Sequence, residues 1–430
     1  MDIEIRTNPR RLPDPGSPWL ASSLAGAAFP PDAAACLAEA GGETYRLDGL
    51  TREETEALER AAREAGAAAA VVVGPSARPP GELPPARGGD APRTSTFRIR
   101  SHDTFSCALA VTPRALPGLI AALHGAGAPE LGRLLALTRT RAACRAFELP
   151  CPGGPFRLGP AAAVMGIVNC TPDSFSDGGR LPTPQAAVDH GRRLAEAGAA
   201  ILDVGGESTR PGATPVPEDE ERRRVLPVVE ALAGRHGLFV SVDTSKAGVA
   251  AAACAAGARM INDVTALAGD PRMPEAAARA GVPVVLMHMR GTPATMQEDP
   301  RYADVVGEVL ASLRAAVARA RDAGIPEEAV VVDPGLGFGK TLAHNVELLA
   351  RLAELRSLGR PVLAGPSRKR FVGDLTGRPV EGRAYGTAGA VAAAVLAGAA
   401  VVRVHDVAEM TDVVRVVGAL SGPARQENHK

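Results

Sequence analysis

No C-x-x-C pair occurs among the six cysteines (Cys36, Cys107, Cys144, Cys151, Cys170 and Cys254), so neither a disulfide framework nor a zinc site is indicated. No two histidines stand at metal-ligand spacing. An excess of one charge is also missing. The chain carries 48 basic and 48 acidic side chains, and a formal net charge of zero argues against nucleic acid or an anionic membrane surface as a partner. Met1 to Pro13 contains no apolar targeting segment, and the expected location is the cytoplasm. Long hydrophobic runs are lacking too. One uncharged stretch, Ala384–Val402, has the 19-residue length of a membrane span. It is mostly Ala and Gly, with only five large aliphatics (Val391, Val395, Leu396, Val401 and Val402), and reads as a buried helix running into a strand.

What the chain does have is length and rhythm. Its 430 residues allow two to three domains. Residues 1–145 read as a small N-terminal α/β region without a chemical signature: strands at 43–47, 68–73 and 95–99, a helix at 52–65, and a helix-rich piece over 116–137. Inside it, ten of the twenty residues of Gly74–Arg93 are Pro or Gly, the composition of a loop or linker. Pro150–Pro155 reads as a hairpin turn at the boundary. Residues 146–430 then become regular. Short β-branched runs at 163–169, 200–206, 238–243, 260–265, 283–288, 329–333, 361–365 and 401–405 alternate with helical patterns at 184–197, 218–233, 246–256, 273–280, 302–323, 343–357, 385–398 and 408–419. Eight strand–helix units predict an α/β fold of the (β/α)8 TIM-barrel type. An open doubly wound sheet is the rival, but no Gly-rich dinucleotide turn follows the first strand.

A barrel of this kind carries its chemistry at the C-terminal ends of its strands. Those ends read Asn169, Glu207, Asp243, Asn262 with Asp263, Met287 with His288, Asp333, the Ser367–Arg368–Lys369 turn, and Arg403 with His405. One or two polar residues there would only mark where polarity resumes; eight in register mark a site. Lysine usage points the same way. Only Lys246, Lys340, Lys369 and Lys430 occur among 48 basic residues, and the first three fall just beyond strand ends. Keeping lysine in an arginine-rich chain implies a need for a compact, rotatable ammonium. Gly335–Thr341 imitates a P-loop, but its glycine spacing fits neither Walker A nor G-x-G-x-x-G. His288 reads as a wall residue, and Cys170 has no evident base to make it a nucleophile.

Several segments together resemble the dihydropteroate synthases. They are Met165–Gly179 (MGIVNCTPDSFSDGG), Asp203–Gly212 (DVGGESTRPG), Ser241–Thr244, Ile261–Asp263, Met287–Met289, Asp333–Lys340 (DPGLGFGK), Ser367–Lys369 and Arg403–Asp406. The likeness covers residues 157–420, in order. Cys170 and Leu336 depart from it, where the family usually has Val and Phe. Residues 1–145 fall outside it.

The resemblance implies condensation of 6-hydroxymethyl-7,8-dihydropterin diphosphate with 4-aminobenzoate, giving 7,8-dihydropteroate and diphosphate in folate biosynthesis. It also implies roles residue by residue. Asp243, Asn262, Met287, Asp333 and Lys369 would bind the pterin. Asn169, Arg210, Arg403 and His405 would bind the diphosphate, with Asn169 also a ligand to Mg²⁺. Thr209, Pro211, Phe175, Phe338 and Ser367 would form the aminobenzoate pocket, where sulfonamides compete. Lys369, Arg210 and Asp243 would be catalytic. The loops 170–179 and 208–216 would act as lids. Two small-molecule substrates and a homodimer are expected, with neither nucleic acid nor membrane as a partner. A pterin-binding methyltransferase acting with a corrinoid protein is the alternative, but it has no use for a diphosphate clamp.

Overall fold

Strands buried on both faces are mostly apolar, and the eight strands of the C-terminal region are built mainly from Val, Ile, Leu, Met and Ala, with Asp203, Ser241, Asn262 and Arg403 as interior exceptions. In chain order they are β1 (Ala163–Asn169), β2 (Ile201–Gly205), β3 (Val240–Asp243), β4 (Met260–Asp263), β5 (Val284–Met287), β6 (Val330–Asp333), β7 (Leu363–Ala364) and β8 (Val401–Val404). They form one parallel sheet in the order β6-β5-β4-β3-β2-β1-β8-β7. A parallel bridge between Val332 and Val362 joins β6 to the segment entering β7 and closes the ring. The fold is a (β/α)8 barrel. The structure is a computed structural model and describes residues 10–12, 37, 43–65, 69–75, 105–111, 114–171, 183–209 and 213–421.

The outer helices are α1 (Pro184–Glu196), α2 (Glu218–Val229), α3 (Ala247–Ala255), α4 (Met273–Ala280) and α5 (Val305–Asp322). They continue with α6 (Leu342–Ala350), α7 (Arg370–Thr376), α8 (Ala384–Leu396) and α9 (Val407–Ser421). Every strand expected of the barrel is present, with ends within two residues of those read from the sequence. Two helices are shorter than expected: α2 passes into a π-helical turn at Glu230–Arg235, and α6 is followed by a 3-10 segment at Leu352–Leu358. The seven-residue α7 was not expected, because so short a segment shows no helical period. Ala384–Val402 is α8 running into β8, and among the described residues no helix is long and apolar enough to cross a membrane.

Register positions the site. Asn169 pairs with Gly205, Gly205 with Asp243, and Asp243 with Asn262, so the ends of four consecutive strands lie level. Met287 pairs with Asp333 across β5 and β6. At the opposite end, strands Phe147–Leu149 and Phe156–Leu158 form an antiparallel hairpin around the Pro150–Pro155 turn. Leu149 and Leu158 cluster with Met165, Ile201, Met260, Val285, Val331, Leu363 and Val401, filling the N-terminal end of the barrel with apolar side chains.

The chain separates into two compact units, Met1–Ala142 and Ala143–Lys430. The first contains a four-stranded antiparallel sheet, ordered Arg10–Arg11, Glu43–Leu50, Phe105–Val111, Ala69–Pro75. Helix Arg52–Glu64 opens with a capping box in which Thr51 and Glu54 satisfy each other's backbone donors. Leu47, Leu58, Cys107, Leu109, Leu119 and Leu123 share its core. The strand at 105–111 was not anticipated; the one expected at 95–99 lies outside the described residues, as does most of Gly74–Arg93.

Candidate active site

Asp333 closes β6 and is buried. Its Oδ1 accepts the Gly335 N–H at 2.7 Å, and its carbonyl accepts the His288 N–H at 2.9 Å. The chain turns here because residue 335 is glycine: φ is +66°, and a Cβ would stand 1.9 Å from the His288 carbonyl oxygen. The turn brings Leu336 and Phe338 to Lys369, whose Nζ donates to the Leu336 carbonyl and lies 4.6 Å from the centre of the Phe338 ring. Burial lifts the Asp333 pKa above the ordinary carboxylate value, with Lys369 pulling it back. Burial lowers Lys369 to about 8, and Asp333 opposes that shift. Burial thus disfavours the charge on both groups, and each favours the charge on the other.

A second network lies under β2, β3, β4 and β8. Asp203, inside β2, accepts from Asn262 Nδ2 at 2.9 Å and from Arg403 Nε at 2.6 Å, both on Oδ2. Arg403 Nη2 donates to Asp243 Oδ2 at 2.6 Å. Asp203 Oδ1 is buried with no hydrogen-bond partner. Because a carboxylate accepts, Asn262 must turn its amide nitrogen to Asp203 and present its oxygen elsewhere. Burial pushes Asp243 up to about 7; Arg403 works against this and Asp203 reinforces it. Burial also works against the charge on Arg403, but Asp203 and Asp243 outweigh it and raise its pKa.

On the side expected to hold diphosphate, Asn169 is half-buried at the end of β1. Ser367 and His405 are joined twice: Ser367 Oγ lies 3.0 Å from His405 Nδ1 and accepts the His405 N–H at 3.1 Å. The next residue, Arg368, has φ +55° and is held by Asp406, with Nε to Oδ2 at 3.0 Å. Met287 is buried and Thr209 half-buried. Phe175, Arg210 and Pro211 lie outside the described residues, as do the middle parts of both expected lids.

Three residues at strand ends turn inward instead. Asp263 accepts from Thr265 N (2.8 Å), Thr265 Oγ1 (2.7 Å) and Leu267 N (2.8 Å), which holds Ala266 and Leu267 at φ +52° and +63°. Lys340 is buried, with Nζ 3.0 Å from His288 Nδ1 and 2.9 Å from the Phe338 carbonyl. Burial depresses both groups, His288 to about 3, so a neutral imidazole can accept from Lys340. Lys246 is bound by two glutamates. Of the three strand-end lysines, Lys369 and Lys340 both favour the charge on Asp333, Lys369 the more strongly.

Among the described residues no group of three His, Cys, Asp or Glu is arranged to hold a metal. Asn169 offers a single amide oxygen. That donor fits a hard cation that takes most of its ligands from water and substrate phosphate, as Mg²⁺ does.

The pterin binding enzyme family matches residues 165–405, which include every site residue named above. These side chains therefore sit in a barrel of the pterin-binding class. The relatives are more particular. The dihydropteroate synthase of Escherichia coli (strain K12) is 50% identical over 256 residues, 60% of this chain and 90% of that protein. A structure of the Xanthomonas albilineans dihydropteroate synthase with 4-aminobenzoic acid is 52% identical, with a TM-score of 0.61, over 65% of this chain and 99% of that one. Another, of the same enzyme in complex with 7,8-dihydropteroate, is 49% identical with a TM-score of 0.59, over 64% and 99%. The chain belongs to the dihydropteroate synthase family. These relatives carry the synthase reading, not the corrinoid methyltransferase one.

Proposed function

We infer that this protein is a dihydropteroate synthase that joins 6-hydroxymethyl-7,8-dihydropterin diphosphate to 4-aminobenzoate. The observation that carries the reading is the buried Asp333 carboxylate beside Lys369, with Asn262 and Asp243 level on neighbouring strands. Asp333 accepts from the pterin N3–H and 2-amino group together, and Lys369 faces the O4/N5 edge. Asn262, turned by Asp203, offers its oxygen to a ring donor, and Met287 packs on the ring. Bond breaking between the pterin methylene and diphosphate is the costly step, so charge stabilisation dominates. Arg403, His405 and Arg210 favour the departing diphosphate, and the carboxylates favour a cationic methylene. The aniline nitrogen, neutral at pH 7, attacks that carbon and then loses a proton. Phe338, Ser367, Thr209, Pro211 and Phe175 border the aminobenzoate.

Mg²⁺, held by Asn169 and the diphosphate, would supply further charge to the leaving group. The free cysteines Cys107, Cys144, Cys151, Cys170 and Cys254 suit a reducing cytoplasm. Exposed Leu375, Val380 and Tyr385 around α7 and α8 support a homodimer. The test is diphosphate release with both substrates, with and without Mg²⁺. Release matched one-to-one by dihydropteroate is expected; none with both substrates and Mg²⁺ would end the reading.

A further inference from the structure

The segment that leaves β2 ends in Thr214-Pro215-Val216-Pro217, immediately before α2. Proline has no backbone donor and keeps the residue before it extended. Val216 is therefore the sole N–H donor in the triplet 215–217, and it donates to Glu207 Oε1 at 2.8 Å. Glu207 lies at the other end of the same segment, so one side chain ties the two ends together. Its second oxygen, Oε2, accepts from Lys246 Nζ, which also donates to Glu221 Oε2 on α2. The backbone one residue earlier is held as well: Arg224 Nη1 donates to the Gly206 carbonyl at 3.0 Å.

The charge count separates a structural role from a local one. Two carboxylates share one ammonium. Glu221 has a side chain with 0% exposure and depends on Lys246, whereas Glu207 and Lys246 keep 21% and 22%. Burial works against the Lys246 charge, but the two glutamates outweigh it and raise its pKa. Without Glu207, Lys246 and Glu221 remain as a one-to-one pair, and no buried charge is stranded. What would be lost is the tie to Val216.

We propose that Glu207 is a positioning residue for the aminobenzoate side of the site: by holding the Val216 backbone and, through Lys246, helix α2, it fixes the chain from which Thr209 follows two residues later. The proposal rests on the synthase reading above. Both Glu207 oxygens are engaged in the tie.

Two variants of the full chain test it, Glu207→Ala and Glu207→Gln. Glu207→Ala should raise KM for 4-aminobenzoate about tenfold, with KM for the pterin diphosphate within about twofold and kcat within about threefold. Glu207→Gln keeps an acceptor for Val216 and should raise the same KM by only about threefold. Hydrogen exchange at the Val216 amide should be faster in Glu207→Ala, with Glu207→Gln between it and the parent. An unchanged aminobenzoate KM, an equal rise in both KM values, or unaltered exchange would overturn the proposal. A parent protein without synthase activity would refute the functional reading instead, while exchange would still report on the tie. If Glu207→Ala fails to fold, Glu207 is structural and the proposal falls, unless Glu207→Gln folds and reproduces the selective KM shift.

Discussion

Arg403 on β8 reaches Asp203 on β2, spanning 200 residues of sequence and passing over β1 between them, with Nε 2.6 Å from Oδ2. The same carboxylate oxygen sets the Asn262 amide, so a group expected at the diphosphate and a group expected at the pterin share one anchor. Perturbing either should therefore be felt by the other, a coupling that double-mutant analysis can measure.

Asp333→Ala should abolish pterin binding and leave the barrel folded. Two pterin donors would lose their acceptor in a buried slot, at about 1–3 kcal/mol each. Calorimetry with a pterin ligand checks this, with circular dichroism as the control; unchanged affinity would remove Asp333 from that edge.

Lys369→Arg should fail to restore what Lys369→Ala loses, with kcat/KM down about 100-fold or more in both. The lysine stem passes close to the backbone: a Cβ at Gly337 would lie 3.1 Å from Lys369 Cδ. A planar guanidinium does not reproduce the compact, rotatable ammonium that donates to the Leu336 carbonyl. Near-parent turnover by Lys369→Arg would mean that only the charge matters.

Stability of the ligand-free protein should depend on pH in two opposite ways. Asp243 titrates near 7 when folded, above the value of about 3.9 for an unfolded aspartate, so the folded chain holds an extra proton between them. Its contribution is present at low pH and is lost as pH rises through 7. Lys369 titrates near 8 when folded, below the unfolded value of about 10.4, so its penalty is greatest below pH 8 and fades as pH rises toward 10. Thermal melts from pH 5 to 10 should have a flatter acid limb in Asp243→Asn and a flatter alkaline limb in Lys369→Met. Curves parallel to the parent would contradict both assignments.

Removing residues 1–142 should leave turnover intact, because every proposed site residue lies in the second compact unit. The shortened chain must keep Phe147–Leu149, whose strand pairs in the hairpin packed against the barrel core. A folded but inactive 143–430 chain would assign the first unit a part in the reaction.

The eight strands were legible because each is a short, largely apolar run with polar residues at or just beyond its C-terminal end, a pattern that solvent and core impose together. Asp333, Asp243, Asn262 and Arg403 could be found by reading those ends. Asp203 could not be placed that way, since it lies within a strand and earns its role only through partners on β4 and β8. Glu221 was hidden differently: inside Glu218-Asp-Glu-Glu221 it resembles a solvated acidic turn, yet one of the four faces inward to Lys246. Asp263 looked like a site residue because its position is right, and only the turn it caps reveals that its oxygens are spent on backbone and Thr265.

The Phe147–Leu158 hairpin and its leucines give the barrel a sealed floor. With that end of the barrel filled, the proposed site opens at the C-terminal ends of the strands. On the proposed arrangement, a ligand against Asp333 and Asn262 would enter before anything that lies above it and leave after it. The product, joined from both halves, would then depart only after the diphosphate, so release and admission would compete for the same opening.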